Sequence, residues 1–177
     1  MQLDEIILKR QSCRSYETRQ VDREDILKCL DTARLAPSAC NSQPWKFTVV
    51  TEPKTKGKLA DLLKIVGGNK FADQAPVLVA VSEDACPELM PGVLKKWSCK
   101  HFAHGDIGIA IAHFTLKAAE IGLATCIMGT FEDQDVKELL DIPEGDTVRA
   151  VIALGYPSGS QVREKTRKGL DEIVRFI

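Results

Sequence analysis

Three short stretches of the chain concentrate side chains that can do chemistry. KRQSCRSY, Lys9 to Tyr16, sets Arg10, Ser12 and Arg14 at alternate positions around an apparent helix end. Two guanidinium forks and a hydroxyl arranged this way can converge on one phosphate, and the same residues can equally form an ordinary solvated basic turn. Far along the chain, REKTRK offers Lys165 and Arg167, two cations spaced to point the same way from an extended backbone. A solvated charged loop is the other reading of that run. Between them lies APSACNSQPW, in which Pro37 and Pro44 stiffen the path while Ser38, Asn41 and Gln43 present donors and acceptors. Such a loop suits the edge of a flat heteroaromatic ligand, or else it only ends a helix and leads Trp45 into the core. A rival set is Cys99, His101, His104 and Asp106: all four are competent metal ligands, but their spacing matches no established metal motif. The phosphate-loop, nucleophile-elbow and dinucleotide signatures GxxxxGK[ST], GxSxG and GxGxxG are missing.

The elements that must carry these stretches follow from hydrophobic period and from the residues that punctuate it. Leu3, Ile6 and Ile7 suggest a short first helix. VDREDILKCLDTARLA reads as a second, with Asp22 as N-cap, Ile26, Leu27, Leu30 and Ala33 on its inner face, and Pro37 ending it. WKFTVVT reads as a strand, PKTKGKLADLLKIV as a helix opened by Pro53, and APVLVAVS as a nearly continuous apolar strand suited to a sheet interior. In Asp106 to Gly122 the polar residues His113, Lys117 and Glu120 form one narrow stripe. That leaves Ile107, Ile109, Ala110, Ile111, Phe114, Leu116, Ala118 and Ile121 to be buried around most of the helix. A helix of that kind needs neighbours on several sides, and in a domain this small one of them can be a second copy of the chain. A short strand (ATCIM), a helix (EDQDVKELLDI), a strand (TVRAVIALGYP) and the terminal segment LDEIVRFI complete the order.

The composition bounds the class. With 177 residues, 44% of them hydrophobic, the chain can bury one core, and residues 1–177 are expected to form a single domain. Its 24 basic and 25 acidic residues give a net charge of -1, so any anion site must be local; neither nucleic acid nor a membrane is an expected partner. The six cysteines contain no CxxC pair, and the start MQLDEIILKRQ resembles no signal peptide, so the expected setting is a reducing cytoplasm.

Taken as a set, KRQSCRSY, APSACNSQPWKF, the alanine-rich helix running into GLATCIMGTF, the strand end ALGYP and KTRKGLDEIVRF resemble the FMN-dependent nitroreductase family, in its order and spacing. The resemblance implies an α+β fold with a central, mainly antiparallel sheet flanked by helices. It also implies an intertwined homodimer binding two FMN at the subunit interface, with the C-terminal segment reaching across the partner. It assigns Arg10, Gln11, Ser12 and Arg14 together with Lys165 and Arg167 to the FMN phosphate and ribityl chain, Gln11 standing where the family often has a second basic residue. Pro37, Ser38, Ala39 and Asn41 correspond to the loop that approaches the partner's flavin, with Gln43, Pro44 and Trp45 fixing that loop to the sheet. Ile127, Met128 and Gly129 correspond to the run beside the isoalloxazine ring, and Asn69 and Lys70 to polar contacts at its pyrimidine edge. The implied activity is ping-pong transfer of two electrons from NADH or NADPH to nitroaromatics, quinones or related small acceptors, with no catalytic residue and no metal assigned. The segment from Cys86 to Phe102 is expected to border the flavin cavity and set acceptor choice. The alternatives are a specialised family activity, such as reductive dehalogenation or flavin destruction, and a non-catalytic FMN- or metal-binding module.

Overall fold

In the computed structural model, which describes residues 2–177, four strands form one antiparallel sheet in the order β1-β2-β4-β3. They are β1 (Trp45–Val50), β2 (Val77–Glu83), β3 (Ala124–Met128) and β4 (Thr147–Gly155). Around them lie α1 (Leu3–Lys9), α2 (Arg23–Ala33), α3 (Pro53–Leu62), α4 (Pro91–Leu94), α5 (Ala103–Glu120), α6 (Asp133–Leu140) and α7 (Leu170–Ile173). The α+β expectation holds. Among the described residues no helix is long and apolar enough to cross a membrane.

The sheet is covered on both faces, which explains the unbroken apolar run of β2. Val77, Val79 and Val81 join a core with Ile26, Cys29 and Ala33 of α2 and with Ile107, Ala110, Ile111, Phe114 and Ala118 of α5. Leu78 and Ala80 point the other way, into a second core with Leu59 and Ala60 of α3 and Val136 of α6. All seven residues of β2 are buried. Phe114, completely enclosed, alone stabilises the first core by about 2 to 3 kcal/mol, and its truncation to Ala would cost about 3 to 5 kcal/mol.

One expectation about helix faces needs correction, and a second is met only in part within a single chain. Leu27 is 50% exposed. The inner stripe of α2 runs Ile26, Cys29, Leu30, Ala33, the i, i+3, i+4, i+7 series, and Leu27 lies outside it. On α5, Ile109 is 40% exposed and Leu116 half-buried. The sheet and α2 cover only part of that helix and leave Gly105, Gly108, Ile109 and Ala112 on an open face.

Local chemistry fixes the element ends. Glu52 caps α3, its carboxylate accepting from the backbone N–H groups of Lys54 (2.9 Å) and Thr55 (2.6 Å), with Pro53 in the first turn. In β4 one extra residue, Arg149, stands opposite the Val81–Ser82 step, and this bulge turns it toward Glu83.

Candidate functional site

The first basic stretch is fixed against the edge strand β3. Ser12 forms a parallel bridge to Thr125, and the Cys13 N–H donates to the Thr125 carbonyl at 2.8 Å. Tyr16, buried, donates its hydroxyl to the Cys13 carbonyl at 3.0 Å and bridges Pro157 just beyond β4. Burial drives its phenol far above the ordinary range, so Tyr16 is a neutral anchor.

The second basic stretch returns across the first. Gln11 clasps it: the side-chain amide donates to the Gln161 carbonyl at 2.9 Å, and the amide oxygen accepts from the backbone N–H and Nε of Arg163, both at 3.1 Å. Arg163 Nη2 donates to the Ser12 carbonyl at 2.6 Å, and Lys165 Nζ to the Arg10 carbonyl at 2.8 Å. Two clusters about 150 positions apart in sequence therefore meet in one cleft of about 250 Å³, lined by Arg10, Gln11, Ser12, Arg14, Arg163, Glu164, Lys165 and Arg167.

The electrostatics of this cleft favour an anion. None of the ion pairs among the described residues uses Arg10, Arg14, Arg163, Lys165 or Arg167. Partial desolvation, then the neighbouring Arg10, Arg167 and Arg163, hold the Lys165 ammonium below its usual range. A dianion entering the cleft would relieve that repulsion, and forked guanidiniums with a serine hydroxyl are the donor set a phosphate takes. Arg163 was missed in the sequence, where it reads as one more charge in a basic run. Only the returning chain path reveals it.

Ile127, Met128 and Gly129 close the same edge. Met128 is buried in the second core, whereas Ile127 points to the other face and is 46% exposed. The parallel register that sets Ser12 beside Thr125 carries Arg14 toward Ile127, and Arg14 is close enough to Cys126 to pull against the upward push of burial on that thiol. A Cβ placed on Gly129 would meet nothing within 4 Å.

The loop before β1 is a separate feature. Cys40, Asn41 and Gln43 all have positive φ, at 54°, 55° and 46°, each costing on the order of 1 kcal/mol or more. The surroundings hold them there: buried Asp106 accepts from the Ala39 N–H at 3.0 Å, Ser38 Oγ from the Gln43 N–H at 2.9 Å, and the Pro44 carbonyl from the Asp84 N–H at 2.9 Å. Trp45 packs into the first core. Pro37 and Asn41 remain exposed. Residues Cys40–Gln43 face Glu88–Pro91 across a second cleft of about 450 Å³, which shares no lining residue with the basic one.

Asn69 and Lys70 do not line the basic cleft. The Asn69 side chain donates to the Leu63 carbonyl at 3.0 Å, closing the turn after α3, and Lys70 is exposed. Asp106, one of the four metal-ligand types noted in the sequence, is engaged with the Ala39 N–H. Among the described residues no three His, Cys, Asp or Glu side chains are grouped to hold a metal ion.

A helix-covered antiparallel sheet with a cation-lined cleft at its edge defines an α+β protein with a candidate anion site. The nitroreductase family model matches residues 7–84 and 65–156, and the chain belongs to that family and so to the oxidoreductases. An Archaeoglobus fulgidus protein, described as a candidate NADH dehydrogenase/NAD(P)H nitroreductase, is 32% identical over 156 residues, covering 86% of this chain and 83% of the relative. Iodotyrosine deiodinase 1 of Pongo abelii is 27% identical over 200 residues, covering 98% of this chain and 68% of its own. In fold, the chain matches a nitroreductase-type protein of Exiguobacterium sibiricum solved in complex with FMN, with a TM-score of 0.88 at 22% identity, covering 100% of this chain and 98% of the other.

Proposed function

We propose that the chain is a single-domain FMN-dependent oxidoreductase that accepts two electrons from NADH or NADPH and passes them to nitroaromatic, quinone or related small acceptors. The observation that carries this reading is the meeting of two distant basic stretches in one cleft whose cations form no ion pair among the described residues. Arg10, Ser12, Arg14, Lys165 and Arg167 hold the phosphate end, Gln11 and Arg163 clasp the two strands of chain that carry them, and Ile127 to Gly129 border the ring. Bound FMN supplies hydride acceptance and donation, the chemistry no side chain here provides. The chain's task is to fix the cofactor, expose one face of it and admit donor and acceptor in turn, which gives ping-pong kinetics.

Homodimerisation completes the reading. Cys40 and Asn41, at the end of the polar loop, line a different cleft from the cations, as expected if the loop addresses the flavin of a partner. The open face of α5 and the exposed Leu170, Ile173, Phe176 and Ile177 supply apolar surface for such an interface. Light scattering should give twice the 19.5 kDa chain mass, and a fluorescence titration should saturate at one FMN per chain. A monomer that quenches no flavin fluorescence would end this reading.

The deiodinase relative favours a second reading, reductive removal of halogen from a phenolic acceptor. Halide release from a halotyrosine, measured beside nitroaromatic and quinone reduction, separates the two.

A further inference from the structure

The C-terminal end of α5 and the chain beyond β4 enclose a cavity distinct from the basic cleft. Gly122, at φ 86°, ends the helix in a left-handed turn: its N–H donates to the Ala119 carbonyl at 3.4 Å, and the Leu123 N–H to the Ala118 carbonyl at 2.8 Å. Ala119, Leu123 and Ala124, before and after that turn, line a cavity of about 280 Å³ together with Pro157 and Val162. Gln11 fixes the wall that Val162 forms, because its side chain binds Gln161 and Arg163 on either side of it. The charged residues of the lining are Lys9 and Arg10, and no carboxylate is among them. Neither cation forms an ion pair among the described residues. Arg10 and Gln11 also line the basic cleft, and the rest of the lining is separate from it. None of the lining belongs to the α5 face or the terminal segment assigned above to the subunit interface.

We propose that this cavity binds a compact amphiphilic carboxylate, with its hydrocarbon body against the apolar lining and its charge at Lys9 and Arg10. An apolar concavity with a few convergent polar groups is the composition of a small-ligand site, and a volume near the lower end for such sites admits a short chain or a single ring. The body gains by leaving water in proportion to the apolar area it covers. The carboxylate gains charge-assisted contacts from two cations that no protein carboxylate occupies. An uncharged molecule of the same shape forgoes the second gain, and a bare inorganic anion forgoes the first. The wall is already held by the Gln11 clasp, so little chain ordering opposes binding. The site goes beyond the flavin reading and does not depend on it.

The test titrates octanoate, with octanol as the uncharged control, into the full-length protein by calorimetry. Octanoate should saturate at one per chain and bind more tightly than octanol. Ala119→Leu fills the cavity and should weaken octanoate by at least about ten-fold. Lys9→Gln, a change at an exposed position that leaves the packing alone, should weaken octanoate by about two- to five-fold and leave octanol unaffected. Arg14→Ala, which alters the basic cleft and not this cavity, should leave octanoate affinity unchanged. Absence of saturable octanoate binding would overturn the site, as would affinities that neither Ala119→Leu nor Lys9→Gln changes. A loss of octanoate binding in Arg14→Ala would also overturn it, by placing the carboxylate among the cations of the basic cleft.

Discussion

Two groups of cations lie at opposite ends of β4, and they are built differently. At its start, Arg149 Nε meets fully buried Glu83 at 2.6 Å, Lys46 reaches Asp146 at 3.0 Å and Asp84 at 3.3 Å, and Lys100 lies 3.9 Å from Glu83. Each positive charge has a carboxylate, and together they hold the base of the 84–102 segment. Beyond its end, Arg10, Arg14, Arg163, Lys165 and Arg167 face one cleft, and their hydrogen bonds to the chain go to carbonyls and to the Gln11 amide. The same residue types are structural where carboxylates answer them and available for a ligand where none do. What distinguishes the two groups is the partner inventory, which composition does not report.

The contrast predicts opposite responses to substitution. Arg149→Met leaves Glu83 buried with only the distant Lys100, so it should destabilise the fold by about 3 to 5 kcal/mol, seen as a melting temperature lower by roughly 6 °C or more. An unchanged melting curve would dissolve the distinction. Arg14→Ala should do the reverse: FMN affinity falls roughly ten-fold or more as a charge-assisted contact of about 1.5 to 3 kcal/mol is lost, while the melting temperature of the FMN-free protein stays put. Isothermal titration with FMN and thermal melts of the FMN-free protein, run on both variants, read both halves of the comparison.

Smaller changes sharpen it further. Gly129→Ala adds a methyl where the chain itself has open space, so stability should move by no more than about 0.5 kcal/mol. If the cofactor ring lies there, FMN affinity should drop by a few-fold; unchanged affinity would move the ring away from Gly129. The smallest effect concerns a charge that is satisfied by backbone. Two N–H donors hold the Glu52 carboxyl below the usual carboxylate range, so its contribution to stability is complete above the unfolded value and is lost as pH falls through the folded one. Thermal melts of the parent and Glu52→Gln should therefore differ near neutrality and converge in acid, and parallel curves at all pH values would contradict the capping role.

Much of the fold was legible because it rests on short-range rules. The apolar run that opens β2, the Pro53 helix start and the long α5 were all visible as period and punctuation. Leu27 reads as inward because hydrophobicity marks what can be buried, not which neighbour arrives to bury it. The site was legible by halves. Arg10, Ser12, Arg14, Lys165 and Arg167 could be chosen by type, but the clasp through Gln11 and Arg163 depends on where the chain goes after β4. Asp106 read as a candidate ligand because a carboxylate in sequence does not disclose that a backbone N–H 67 positions away will occupy it.

The central claim is that the basic cleft exists to hold a flavin that exchanges electrons with a nicotinamide. Its most direct test is the visible spectrum of the purified protein, supplemented with FMN if pale, before and after anaerobic addition of NADH and then NADPH. The account predicts a protein-bound oxidised-flavin band that bleaches with at least one of the two donors and returns when a quinone is added. A protein that binds no FMN, or a bound flavin that neither donor bleaches, would contradict it.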